Sequence, residues 1–448
     1  MAGRKMSFET CLSKKSALKL EVSSVSGKKI LRNSLWIIVC VGIIGLFYVK
    51  RATKFYLSTL PEPRNCSTYP DTGIFPVRGL HITSWVAASP ALLKPLIELV
   101  KNTELNALVI DLKETDGRVR YDSRLKIVEN LGTKDAGIAN LDSLLATLKE
   151  NNIFPIARIC VFKDPLLAQK RPHLAVRDKN GSIWRDWKGL SWVDPYCKQV
   201  WEYNTAIAEE AAQRGFKEIQ FDYIRFPSDG LIRNCVYTYR GTRADTPAIV
   251  IKNFLKYARE RLRPYGVVIS VDVFGLTCSA EDDLNIGQKI EEIAPEVDYI
   301  CPMVYPSHYY QGMYNLKDPE AVPYQTVSIS LRDAQRRVGG ICRIRPWLQD
   351  FSLRIKYSAA EVLQQIKATY DSGIQEWCLW NPACRYTASI LGPEDRRNIE
   401  IARLSEMLQQ QIGKKVSRES EVILPEIKVP AETTPPINSK DNSAREKF

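Results

Sequence analysis

The sequence predicts a (β/α)8 TIM barrel, and three observations predict it. Eight apolar, strand-like runs follow one another between Val77 and Pro382. Amphipathic helical stretches lie between most of them, the alternation of a parallel sheet closed on itself with helices outside. No Gly-rich phosphate loop follows any strand, which counts against a doubly wound open sheet.

The runs, in order, are VRGLHITSWV (77–86), LNALVIDLK (105–113), FPIARICVF (154–162), EIQFDYIRFP (218–227), VVISVDVFGL (267–276), VDYICPMVYP (297–306), ICRIRPWLQDF (341–351) and IQEWCLWNP (374–382). The intervening SPALLKPLIELVKNT, NLDSLLATLKENN and CKQVWEYNTAIAEEAAQRG carry apolar residues at helical spacing. Insertions follow the third and fourth strands. The first, residues 173–195, has an Asn-Gly turn between strand-like arms and is dense in Trp; the second covers 228–247. Both come after strands, and so belong to the face on which barrel active sites are built. Trp184, Trp187 and Trp192 either overhang a cleft there or form a small core of their own.

At 448 residues, 45% hydrophobic and 25% charged, the chain is globular and long enough for one large domain with appendages. Its net charge of +12 is unevenly spread. Residues 1–34 hold eight Lys or Arg against Glu9 and Glu21, and Lys50, Arg51 and Lys54 follow. The rest is close to neutral, so no nucleic-acid partner is expected. These basic residues bracket Leu35–Val49, fifteen apolar residues without a charge. That is short of the about 17–25 residues of a typical span, but snorkelling flanks and the nearby Ile30 and Leu31 lengthen it into a membrane-anchor helix. A cleaved signal peptide competes, yet no A-x-A-like site accompanies the KRATKF that follows. The basic head keeps the N-terminus cytoplasmic. The expected organisation is a basic segment 1–34, an anchor 35–49, a linker 50–76, the barrel domain 77–412 and a polar, disordered tail 413–448.

Eleven cysteines include no C-x-x-C pair. Several sit in apolar runs as small hydrophobes, while the loop residues Cys197 and Cys235 could pair in an exported domain. With only His81, His173 and His308 as histidines, neither a zinc cluster nor another metal site is expected, and no cofactor is implied.

In a barrel the C-terminal strand ends converge on one pocket. Here they supply Trp85, Asp111 with Lys113 and Glu114, Arg158, Asp222 with Tyr223 and Arg225, Asp272, Tyr305, Trp347 with Asp350, and Trp380 with Asn381. That set suits a saccharide. Aromatic faces stack on sugar C–H surfaces, polar groups bond hydroxyls, and glycosidic cleavage usually needs two carboxyl groups. Asp222 and Asp272 are the expected catalytic pair. Trp85, Asp111, Arg158, Arg225, Tyr305, Trp347, Asp350, Trp380 and Asn381 are the expected substrate-binding residues. Alternation along the fourth strand turns Gln220, Asp222 and Ile224 to the pocket and Phe221 and Tyr223 to the helices. Each member also has a structural reading. Asp222 and Arg225 could be a buried ion pair, Asp272 an acceptor for its loop, Asp111 a turn opener before KETDG, and the Trp residues barrel-end packing. His81 and His308 read as satisfied core histidines. The argument for a site is the convergence.

RGLHITSWVAAS, TELNALVIDLKETDGRVRYDS and, most specifically, QFDYIRFPSDG resemble a bacterial family of glycosyl hydrolase-like domains, over about residues 77–390. The resemblance implies an α-amylase-like barrel, in which the fourth-strand Asp is the nucleophile and an acid follows on the fifth strand. Carried over, Asp222 is nucleophile or base and Asp272 the general acid. Amylases have Glu at the second position, and they place Arg where Gln220 stands; Arg225 instead comes three residues after Asp222 and would hold it ionised. The function expected is that of a glycoside hydrolase acting on an envelope or extracellular polysaccharide. It would be anchored in a bacterial inner membrane with its domain outside the cytoplasm. A carbohydrate-binding pseudo-enzyme and an envelope scaffold are the alternatives.

Overall fold

Eight parallel strands close on themselves in the computed structural model, which describes residues 76–392. They are β1 (Arg78–Ile82), β2 (Ala107–Lys113), β3 (Phe154–Cys160), β4 (Glu218–Asp222), β5 (Val268–Phe274), β6 (Tyr299–Met303), β7 (Trp347–Gln349) and β8 (Trp377–Trp380). Each pairs with its successor. β8 then returns to β1, with Arg78 beside Trp377 and Leu80 beside Leu379. All eight apolar runs are therefore strands of one closed barrel.

The strands are apolar on both faces because each face has its own core. Inward residues such as Val109, Ile156, Cys301 and Cys378 fill the barrel, while Leu108, Ile110, Phe221 and Ile300 pack beneath the helices. The helices Pro90–Lys101, Leu141–Glu150 and Lys198–Arg214 form where the spacing places them. The Asn140 side chain caps the second by accepting from the Ser143 N–H, and Gly215, at φ 118°, ends the third and returns the chain to β4. β7 is broken near its start. Arg343–Ile344 pair with β6, and pairing resumes at Trp347 beyond Pro346, which has no N–H for the ladder. Arg345, in that gap, reaches across the barrel interior to Glu218.

The insertion after β3 folds as two small hairpins, with Arg177 bridged to Ile183 and Arg185 to Ser191. The first turns at Asn180-Gly181. Arg177–Asp178 also pairs with Cys235–Val236, which joins the two insertions in one short sheet. Trp184 and Trp192 are buried beneath it, so these two form the local core, whereas Trp187 is 63% exposed. Gly230 is required at the join: its φ is 98°, and a Cβ there would lie 2.6 Å from the Trp184 ring. A third excursion, after β2, was not expected. Val119–Tyr121 folds back antiparallel on Lys113 through the KETDG turn and pairs with Lys134–Ile138.

Cys197 and Cys235 do not pair; each is a free thiol. Cys197 is buried at the start of the Lys198–Arg214 helix, whereas Cys235 lies in the inter-insertion sheet. Among the described residues no helix is long and apolar enough to cross a membrane. The basic segment 1–34, the anchor 35–49, nearly all of the linker 50–76 and the tail 413–448 lie outside the described residues.

Candidate active site

Arg158 is the hub of the barrel mouth. It points inward from β3, in register with Asp111 of β2 and Gln220 of β4. Its Nη1 donates to Asp111 Oδ1 at 2.5 Å, and its Nε donates to Asp222 Oδ2 at 3.0 Å. Nη2 reaches the same Asp222 oxygen, and Nε also lies 3.7 Å from Asp272 Oδ2. One guanidinium thus faces three carboxyl groups from three strands. Asp222 and Asp272 share the Nε neighbour, so their facing oxygens are no farther apart than those two distances end to end. The retaining spacing of about 5–5.5 Å between carboxyl groups and the inverting spacing of about 6.5–9.5 Å both fall within reach of that limit once a C–O bond is added at each end.

The surroundings give these carboxyls different acidities. Burial pushes Asp272 well above the usual carboxylate range, and the neighbouring Asp222 charge pushes it further; Arg158 and the Trp347 hydrogen bond oppose this without cancelling it. Its Oδ1 accepts from the Trp347 indole at 2.7 Å, which leaves Oδ2 to carry a proton. Asp111 goes the other way. Burial raises it, but His81 and Arg158 outweigh that and bring it down to about 2. His81 donates through Nε2 to Asp111 Oδ2 at 2.9 Å, and that partner outweighs burial to raise the imidazole above its usual value.

Trp380 stacks on His81 at 3.8 Å between ring centres and meets Trp347 edge-on at 5.5 Å. The Arg158 guanidinium lies 5.0 Å above the same Trp380 ring. Tyr305 is buried beside this group, and its phenol is raised by burial and then by the neighbouring carboxyls Asp272 and Asp222. Asp111, Arg158, Asp222, Asp272, Tyr305, Trp347 and Trp380 are therefore brought together. Three expected residues take no part in these contacts. Trp85, 76% exposed, stands on the short helix Ser84–Ala88. Asp350 accepts from the Thr387 N–H and hydroxyl, and Asn381 donates to the Asp350 and Arg385 carbonyls, so both tie down the chain after β8. Lys113 is spoken for by Asp164 at 2.7 Å and the Cys160 carbonyl.

Arg225 does not pair with Asp222. The cause is Tyr223, whose φ of 51° is left-handed, a conformation that costs a non-glycine residue about 1–3 kcal/mol. It ends the strand's alternation, so Ile224 turns into the helix-side core instead of the pocket, and Arg225 swings onto aromatic rings. Tyr223 is held there by its N–H to Asp222 Oδ1 at 2.5 Å. Sequence reasoning missed His81 as a member of the cluster. Its signal was position alone, four residues into β1 and inward-facing. A cavity of about 360 Å³ lined by Cys342, Arg343, Gly373 and Glu376 lies at the opposite, N-terminal ends of β7 and β8.

A family model described as "Putative glycosyl hydrolase domain" matches residues 79–386. No curated protein matches the chain. Among solved structures, a hypothetical protein from Ruminiclostridium thermocellum ATCC 27405 is 43% identical at a TM-score of 0.40, covering 43% of this chain and 97% of that one. The PgaB (BpsB) glycoside hydrolase domain from Bordetella bronchiseptica is 14% identical at a TM-score of 0.54, covering 71% of this chain and 99% of that one; the likeness is one of fold. TtGalA, alpha-galactosidase from Thermus thermophilus, is 15% identical at a TM-score of 0.44, covering 73% and 61%.

Proposed function

The chain belongs to this family of glycosyl hydrolase domains, and from that premise we propose that it cleaves glycosidic bonds with Asp222 as nucleophile or base and Asp272 as general acid. The observation that carries the reading is the unequal surroundings of two carboxyls on adjacent strands. Asp222 is bonded to the Arg158 cation, and Asp272 is kept protonated by burial and by Asp222 itself. A carboxyl of raised pKa beside one bonded to a cation lets one site place an acid next to a base or nucleophile.

In this mechanism the sugar sits among Trp380, Trp347 and Tyr305, and its glycosidic oxygen takes the proton from Asp272 Oδ2. Asp222 attacks the anomeric carbon or activates a water against it. The first course uses the two carboxyls in turn. As Asp222 gives up its charge to the new bond, the repulsion that held the proton on Asp272 disappears. Asp272 then becomes a better acceptor for the proton of the incoming water, the reversal that the second half of a retaining reaction needs.

The substrate class is an envelope or extracellular polysaccharide, and Leu35–Val49 anchors the chain with its barrel outside the cytoplasm. The basic residues around that segment support this placement. Protease added to spheroplasts then digests the barrel; its full protection overturns the orientation. The function itself is tested by incubating the full chain with a panel of polysaccharides and measuring new reducing ends. Release by the wild type and not by Asp222→Asn is expected. Binding without release by either protein means a carbohydrate-binding pseudo-enzyme.

A further inference from the structure

We infer that the wall beside Asp222, built from Lys163 and Arg225, is an anion-recognition subsite, and that the glycan carries a carboxylate, phosphate or sulfate next to the cleaved bond. The inference rests on the glycoside reading and narrows its substrate.

Lys163 follows β3 and Arg225 follows β4, and both are buried. They share two rings. The Arg225 guanidinium is 4.8 Å from the Trp192 ring centre and 5.1 Å from that of Tyr223; the Lys163 ammonium is 5.6 Å and 5.3 Å from the same two. Arg225 is also 4.6 Å from the Phe274 ring, at the end of β5. Like charges so close repel, and the Arg225 charge adds to burial in lowering the Lys163 pKa.

The counter-charges stand at a distance. Arg225 donates through Nη1 to the Phe226 carbonyl and the Ser228 hydroxyl, both at 3.1 Å, and has no ion-pair partner among the described residues. Asp222, Asp229 and Asp186 act on it only at longer range. Lys163 has Asp186 at 3.8 Å. That carboxylate is already engaged by the Lys188 and Leu190 N–H groups and by the Trp192 indole. Cation–π contact returns only part of the hydration that a buried cation loses. Two such cations, with carboxylates near them but none within hydrogen-bond distance of either, are completed by an anion from outside.

Position identifies that anion. Tyr223 directly follows Asp222, and Phe274 stands two residues beyond Asp272, so an oxyanion bridging Arg225 and Lys163 belongs to the sugar being cleaved or to its neighbour. A planar guanidinium and a point-charge ammonium together suit carboxylate, phosphate or sulfate oxygens.

The test is calorimetric binding of the full chain to four probes: oligogalacturonate, the same oligosaccharide with its carboxyls reduced to alcohols, a sulfated oligosaccharide and a phosphate-substituted one. We expect the best acidic probe to bind at least about tenfold tighter than the carboxyl-reduced one, in line with charge-assisted hydrogen bonds. The three acidic arms distinguish the oxyanions. Lys163→Met and Arg225→Met should each collapse the acidic-to-neutral ratio towards one and flatten its salt dependence. Should either fail to fold, Lys163→Arg and Arg225→Lys keep the charge and should keep the preference for acid. Equal binding of neutral and acidic probes by the wild type overturns this inference and leaves the glycoside reading intact, as does a ratio unchanged in folded Met variants. Binding to no glycan at all overturns both.

Discussion

Two arginine–carboxylate clusters lie inside the barrel, and β4 contributes to both. At the start of the strand, Glu218 meets Arg345 in a one-to-one pair, both guanidinium Nη atoms reaching its carboxylate and the Ser270 hydroxyl adding a third donor. At its end, Asp222 meets an Arg158 that is shared with Asp111 and Asp272. The same residue types on the same strand thus give a closed charge balance in one layer and an excess of acid in the next. In the first, one cation and one carboxylate offset each other directly. In the second, burial and the Asp222 charge raise the pKa of the third carboxyl, the setting that the proposed proton donor needs.

The comparison breaks most visibly at Asp222. Asp222→Asn should lower turnover by about 10⁴-fold or more, as removal of a group acting within a catalytic unit does. Its melting temperature should change little, because Asp111 still neutralises Arg158. An unstable Asp222→Asn protein with normal activity per folded molecule would place Asp222 with Glu218 as a structural ion.

Asp272→Asn should cost about 10²–10⁴-fold, the usual worth of a positioned acid. The loss should be smaller for aryl glycosides, whose leaving groups need little protonation; an equal loss for both substrates would remove the acid role. A pH signature accompanies it. Asp272 is raised in the folded state, so the native protein binds its proton more tightly than the unfolded chain. Stability therefore falls as pH climbs from the ordinary carboxylate range towards the raised value, and Asp272→Asn should abolish that decline. Asp111, lowered to about 2, behaves oppositely. Its contribution is present above the unfolded value near 3.8 and is lost as pH falls towards 2, so Asp111→Asn should flatten the acid limb of the stability curve.

Glu218→Gln sharpens the contrast from the other side. It strands Arg345 in the interior and should cost about 3–5 kcal/mol, with kcat/KM per folded molecule within a few-fold of wild type. A catalytic defect larger than the stability loss would join the two layers into one functional unit. The smallest effect belongs to the insertion. Trp187→Ala should weaken glycan binding a few-fold with no change in melting temperature, whereas Trp184→Ala, which empties a buried site, should cost about 3–5 kcal/mol. Unchanged binding by Trp187→Ala would remove that residue from the cleft.

The two clusters were not equally legible in the sequence. All eight strands could be read because apolar runs flanked by amphipathic helices carry their own periodicity, and strand order in a barrel follows chain order. The meeting of Asp111, Arg158, Asp222 and Asp272 was legible for the same reason: each stands at the C-terminal end of its run. Pairing was not. Nearness in sequence suggested Arg225 for Asp222, but the left-handed turn at Tyr223 redirected Arg225 and Ile224, and no pattern of residue types announces that an aromatic residue will take such a φ. His81 and Lys163 were passed over because one inward histidine or one post-strand lysine looks like any other until its neighbours are known. Asp350 and Asn381 looked like site residues and are bonded to the chain after β8, a distinction that only hydrogen-bond partners reveal.

The central claim is that Asp222 and Asp272 work as one unit, in which the charge of Asp222 helps to hold a proton on Asp272. Its most direct test needs no substrate: a carboxyl titration of Asp272, by infrared difference or carbon-detected NMR, in the wild type and in Asp222→Asn. Asp272 should stay protonated well above the ordinary value of about 3.9 in the wild type, and should become more acidic once the neighbouring charge is removed. An Asp272 that titrates near the ordinary value and does not move in Asp222→Asn would contradict the account.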